Sequence, residues 1–278
     1  MSAPADHTHE ARTARWLRHA SEGSRDFGVE IGAFKTPIPG IHPLYLDRFP
    51  AFGYETVHAD YWADACALPL RDDALDYVAT SHVIEHVANP VKALWEWARV
   101  TRDGGILYLV VPDRRFTFDH TRPLTPPEHM LADFERGTTD CDGTHIADYL
   151  DGLDWTRWNP AATPTENAAM REQLRAAYLA AVAAGEDINI HFHTFERSSL
   201  TALLALMNRH PRRPCGLELV DSAENFPAAC PNGFLLVLRV GKNLRARLAG
   251  WSLRLQARGD VRATLLPTAR IFASVAAG

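Results

Sequence analysis

Three acidic residues recur at a spacing of 17: Glu30, Asp47 and Asp64. Each stands where a short apolar run meets a turn. Glu30-Ile31-Gly32 closes the first run, Asp47 closes Tyr45-Leu46, and Asp64 opens Ala65-Cys66-Ala67-Leu68-Pro69-Leu70. Carboxylates beyond strand ends can accept hydrogen bonds from ribose hydroxyls. An acid beside an apolar slot suits adenine, accepting from its exocyclic amine while the slot holds the ring. Gly32 permits a tight turn and close backbone approach to a ligand. Neither a GxGxxG fingerprint nor a GxxxxGK[ST] loop is present: Ala33, Phe34 and Lys35 follow Gly32. The expected ligand is therefore a nucleoside without a diphosphate.

These residues need a scaffold, and the hydrophobic pattern supplies one. Segments 27–31, 43–47, 74–80 and 106–111 read as strands, the third buried on both faces as in a parallel sheet. Asn89 as N-cap and Pro90 at the first helical position open a helix to about Val100, which Asp103-Gly104-Gly105 ends. Strand, helix, strand at this pace predicts a doubly wound, mostly parallel α/β sheet. Helices are also expected near 9–22, 127–136, 165–184 and 198–208, and an antiparallel pair at 216–220 and 233–240.

The stretch 113–197 is too long for a simple connection and reads as an insertion or lid. It begins with a charged run in which Asp113, Arg115, Asp119 and Arg122 shape a polar pocket; arginines there suit a carboxylate or phosphate. Histidine is the common proton acceptor near neutral pH. The candidates are His82, His86, His129, His191 and His193. His129 and Asp133 lie one helical turn apart, and with His191 and His193 could form a metal site. The expectation is instead hydrogen-bonded pocket or core histidines and no metal. Asp140, Asp142, His145 and Asp148 read as an exposed loop.

Composition narrows the class. The chain has 278 residues and a net charge of −5, so no overall basic field for nucleic acid exists. Its four cysteines form no CxxC pair, which suggests a reduced, cytoplasmic protein. No apolar leader and no run long enough to span a membrane is read. Residues 241–278 carry seven Lys/Arg against one acid, with Leu244, Leu248, Trp251 and Leu255 on one helical face. That tail suggests a helix packed on the domain or on a sister subunit, hence a possible homodimer.

The series from Asp64 to Pro112, read as DA..LP…D..LD.V..SHV.EH…P..AL.E..RV...GG.L.L.VP, resembles the class I S-adenosylmethionine-dependent methyltransferases of small-molecule type. The likeness is good over 28–112 and looser over 113–135 and 188–240. It implies a Rossmann-like core at 27–112 and 198–240, an N-terminal helical segment at 1–26, a substrate insertion at 113–197 and a helical extension at 241–278. It implies S-adenosylmethionine as cofactor. Glu30, Gly32 and Ala33 would hold its methionine end, Asp47 the ribose, Asp64 and Ala65 the adenine, with Ser81 and His82 near the sulfonium. His86, Asp113, His129 and His193 are then the candidate catalytic residues. Arg115, Asp119, Arg122 and His191 are the candidate acceptor-binding residues. The expected reaction is methyl transfer to oxygen or nitrogen of a small polar molecule. The rival readings are a binding module that has lost catalysis, favoured by the thinned glycine loop, and a metal-assisted enzyme using the bound sulfonium differently.

Overall fold

The computed structural model describes residues 8–17, 25–52, 55–57, 59–139, 141, 143–242, 262 and 265–266. In chain order its strands are β1 (Gly28–Ile31), β2 (Leu44–Asp47), β3 (Ala51–Phe52), β4 (Glu55–Thr56), β5 (Tyr61–Trp62), β6 (Leu75–Ser81), β7 (Thr101–Pro112), β8 (Gly216–Phe226) and β9 (Gly233–Gly241). The α-helices are α1 (His9–Trp16), α2 (Pro90–Val100), α3 (Pro127–Arg136), α4 (Gly143–Gly152), α5 (Trp155–Trp158), α6 (Pro164–Ala183) and α7 (Arg197–Arg209). β3 and β4 pair with each other, and the remaining strands form one sheet in the order β5-β2-β1-β6-β7-β9-β8. The pairs β5–β2, β2–β1, β1–β6 and β6–β7 are parallel, whereas β9 runs antiparallel to both β7 and β8. The strand order reverses at β1, with β2 on one side and β6 on the other. In such sheets ligands bind beyond the carboxyl ends at that point.

Alternation along β7 shows how the sheet is held. Leu107, Leu109 and Val111 enter one buried cluster with α2 and α7; Ile106, Tyr108 and Val110 enter another on the opposite face. Successive side chains of a strand point to opposite faces, so a strand covered on both sides is apolar throughout. α2 is set by its cap: the Asn89 side chain accepts from the Lys92 amide at 3.0 Å, and Pro90 needs no donor there. Its buried Val91, Leu94, Trp95 and Ala98 follow the helical period.

Several boundaries differ from the sequence reading. Asp103-Gly104-Gly105 does not terminate α2; it lies inside β7, which starts at Thr101. The strand expected at 216–220 runs on to Phe226, since its pairing with β9 continues past two register shifts. Residues 143–152 are helix α4 rather than an exposed loop. Ile146, Tyr149 and Leu150 bury one face of it, and His145 is buried with them. Asp148 pairs with Arg122 at 2.5 Å, while Asp140 and Asp142 lie outside the described residues. The insertion between β7 and α7 has its own apolar cluster around Ile146, Leu150, Leu153, Ile190 and Phe192. The tail positions Leu244, Leu248, Trp251 and Leu255 lie outside the described residues, as do residues 18–24 of the N-terminal segment. Among the described residues no helix is long and apolar enough to cross a membrane.

Candidate active site

A cavity of about 500 Å3 opens beyond the carboxyl ends of β1, β2 and β6. Its floor is made by Gly32, Asp47, Asp64 with Ala65, and Ser81 with His82. His86 and, from the insertion, Ile188, Asn189 and Phe192 line the same cavity. Seven of the residues singled out in the sequence thus meet in one space, because the parallel strands deliver their ends to the same edge.

Local geometry sets each of them. Gly32 has φ +72°, and a Cβ there would lie 2.5 Å from Val83 Cγ2, so only glycine fits this turn. Asp47 accepts from the Phe49 amide at 3.0 Å, and burial raises its pKa above the usual carboxylate range. Asp64 Oδ1 accepts from the Cys66 amide at 2.7 Å, which holds the carboxylate at the pocket edge. Burial pushes the Cys66 thiol up to about 12, so it stays protonated and is no nucleophile. Arg48 bridges the mouth: Nε lies 2.9 Å from Asp187 Oδ2, and Nη1 lies 3.5 Å from Asp64 Oδ2.

His82 has φ +56°, a left-handed conformation costing a residue with a Cβ on the order of 1 kcal/mol or more. Its amide donates to the Val110 carbonyl at 3.0 Å. Below it lies Glu85, fully buried, with neither carboxylate oxygen hydrogen-bonded among the described residues. Glu85 stands 3.7 Å from His82 Nδ1 and 3.8 Å from His86 Nε2, and burial pushes it up to about 7. Burial takes the His82 imidazole down to about 4. His86 falls well below its ordinary value, first through burial and then through His191 and His82. Both rings are therefore neutral at pH 7 and able to accept a proton.

The other singled-out residues stand apart from the cavity lining. Glu30 lies beneath the loop after β1, where its two oxygens accept from the Ile38 amide at 3.0 and 3.2 Å. Ala33 is buried in the same loop. Asp113 caps the turn Arg114–Phe116 and pairs with Arg115 at 2.6 Å. Arg122 is fully buried, with its guanidinium on Asp119 (2.8 Å) and Asp148 (2.5 Å) and over the Tyr149 ring. His191 lies 2.5 Å from Asp119. Burial alone would raise Asp119, but His191 and Arg122 outweigh it and hold the carboxyl below its usual range. His129 and His193 sit behind the wall, and burial takes His193 down to about 3. The sequence reading missed Arg48 and the segment 185–189. The available signal was Gly185, which follows a helix and precedes Glu186-Asp187.

Glu30 carries a stability prediction of its own. Burial raises its pKa from 4.5 to about 8, against the smaller opposing effect of the Ile38 amide. The folded chain thus keeps a proton that the unfolded chain releases near 4.5. The resulting stability is fully present below pH 4.5 and is lost as pH rises through about 8. Glu30→Gln is expected to remove this part of the slope. Melting curves of ligand-free protein across that window check it; parallel pH profiles for variant and parent would refute it.

Residues 53–109 match the family model of the methyltransferase domain. The chain has a class I methyltransferase fold. An uncharacterized methyltransferase of Mycolicibacterium vanbaalenii is 37% identical over 67 residues, 24% of this chain and 26% of that protein. An uncharacterized 37.1 kDa protein in transposon TN4556 of Streptomyces fradiae is 46% identical over 50 residues, 18% of this chain and 14% of that protein. The matched segments thus cover about a quarter or less of these two relatives. Among solved structures, a SAM-dependent methyltransferase of Methanosarcina mazei is 16% identical, with a TM-score of 0.45 over 84% of this chain and 98% of that one. S-adenosylmethionine is the cofactor that accompanies this methyltransferase fold. The bare Gly32 turn and the Asp47 and Asp64 carboxylates at the cavity edge fit it.

Proposed function

We propose that this methyltransferase-fold chain transfers a methyl group from S-adenosylmethionine to an oxygen or nitrogen of a small polar acceptor. The observation that carries the reading is the continuity of the cavity. Gly32, Asp47 and Asp64, the insertion's Ile188, Asn189 and Phe192, and His82 and His86 all line it. When bound, the cofactor supplies a methyl group activated by a sulfonium. The protein's own part is to align the acceptor, keep water out and take its proton. Asp47 accepts from the ribose hydroxyls. Asp64 and Ala65 hold the adenine. His86, kept neutral by burial, receives the acceptor's proton, with the Glu85 carboxyl group beside it.

The acceptor's charge class shifts from the first expectation. Arg115 and Arg122 are committed to Asp113, Asp119 and Asp148, outside the lining. The insertion side presents Glu186 and Asn189 instead, with Asp187 paired to Arg48 at the mouth. A hydroxyl or amine acceptor without a carboxylate or phosphate fits that lining better. Calorimetry with S-adenosylhomocysteine, followed by radiolabelled methyl transfer to a panel of neutral, amine and anionic small molecules, tests the reading. Absence of nucleoside binding would overturn it, and turnover confined to anionic acceptors would overturn the charge assignment.

A further inference from the structure

Behind the insertion side of the cavity lies a second polar cluster that the methyl-transfer reading does not use. His129 and Asp133 come from α3, His145 from α4, and His193 from the segment before α7. Each offers one donor atom, and the four atoms lie within 4.8 Å of one another. The three imidazole rings form a near-equilateral triangle, with centroids 6.1, 5.7 and 5.7 Å apart. Asp133 Oδ2 faces them at 3.3 Å from His129 Nε2 and 4.0 Å from His193 Nε2.

Two observations distinguish this from an ordinary buried polar patch. First, the Asp133 carboxylate is divided in use. Oδ1 accepts from Arg136 at 2.5 Å and from Thr138 at 3.5 Å, whereas Oδ2 is buried without a hydrogen-bond partner and aims at the rings. Hydrogen bonds to the outer oxygen of a ligating carboxylate are the usual orienting support at a metal centre. Second, His193 is fully buried, its Nδ1 has no hydrogen-bond partner among the described residues, and its Nε2 lies a long 3.4 Å from the Ala88 carbonyl. Buried polar atoms left this way are costly unless something absent from the chain satisfies them.

We propose that His129, Asp133, His145 and His193 form a closed four-coordinate site for a zinc-class divalent ion. Three imidazole nitrogens and one carboxylate oxygen suit zinc, whereas magnesium and calcium favour oxygen-rich shells. With all four tetrahedral positions filled by protein, no position is open for substrate, so the ion is structural. Donors bound at about 2.0–2.1 Å stand roughly 3.4 Å apart around a tetrahedral ion, so loading draws the widest pairs in by about an ångström. The ion ties α3, α4 and the chain around Phe192 into one unit. Ala88 and Phe192, the neighbours of His193, line the cavity, so the site sets the shape of the acceptor side.

The test uses untagged, chelator-treated full-length protein titrated with zinc chloride, and cobalt chloride as a spectroscopic probe. The expected result is one equivalent bound, a tetrahedral cobalt spectrum, and a Tm higher by about 5–10 °C when free zinc is about 100 times Kd. His129→Ala removes the most exposed ligand and is the variant least able to disturb folding; it, Asp133→Asn and His145→Ala are each expected to weaken zinc binding at least about tenfold. Sub-stoichiometric zinc, unchanged affinity in His129→Ala and His145→Ala, or an octahedral cobalt spectrum would overturn the proposal. Loss of zinc in His191→Ala with retention in His129→Ala would also overturn it, by moving the ion to the neighbouring Glu85, His86 and His191.

Discussion

Replacing Asp47 with alanine is expected to weaken S-adenosylhomocysteine binding by about 10- to 150-fold while the chain stays folded. Hydrogen bonds to charged groups contribute about 1.5–3 kcal/mol, which is that range of affinity. Asp47 closes β2 and lines the cavity. Its main-chain position is fixed by parallel pairing with Trp62 of β5, so the site survives loss of the side chain. The internal bonds sacrificed are those from the Phe49 and Arg48 amides, in a part-buried loop that water can reach. Asp47→Asn keeps an acceptor but loses the charge, and its affinity is expected to fall between the two. Calorimetry on the three proteins checks the order, with melting curves as the folding control. Equal affinities for Asp47→Ala and the parent would remove Asp47 from the ribose site and with it the orientation of the whole nucleoside.

The second large effect is expected at His86. His86→Ala is predicted to lower kcat by about 10^2- to 10^4-fold, the usual contribution of a positioned acid or base. Cofactor affinity should change less than about threefold, because the proposed role of His86 is toward the acceptor's proton and not the nucleoside. Burial, with His191 and His82 nearby, holds its pKa well below the ordinary 6.5. The neutral ring, which is the active form, therefore persists below pH 6.5, and the acidic limb of the kcat profile is expected there. Added imidazole is expected to restore part of the activity of His86→Ala, an outcome that a purely structural ring would not give. His82→Ala makes the contrast: its left-handed backbone and place at the end of β6 predict a change mainly in cofactor Kd. A His86→Ala enzyme with parental kcat would overturn the assignment.

Much of the core was legible because its signals are local. The apolar runs of β1, β2, β6 and β7 each report their own burial, and Asn89-Pro90 reports a helix start through its cap geometry. α3 was readable to the residue, as Pro127 opens it and Gly137, in a left-handed turn at φ +71°, closes it. α4 was not. Its Gly and Asp content resembles a loop, and burial of Ile146, Tyr149 and Leu150 against α6 overrides that preference.

The sequence by itself determined that Gly32, Asp47, Asp64 and His82 share one edge, while Glu30 and Ala33, expected beside them, stand outside the cavity lining. Carboxylates spaced at successive strand ends must share one edge once the strands run parallel, so Gly32, Asp47, Asp64 and His82 converge whatever the insertion does. Only the tertiary structure decided the rest of the site. The charge-dense run after Pro112 has the composition of a binding surface, yet Arg122 is consumed by Asp119 and Asp148, a partner 26 residues away. His145 becomes a neighbour of His129 and His193 only after α4 folds against the rest of the insertion. A side chain's availability depends on which opposite charges reach it first, and contacts between distant helices carry no spacing rule in the sequence.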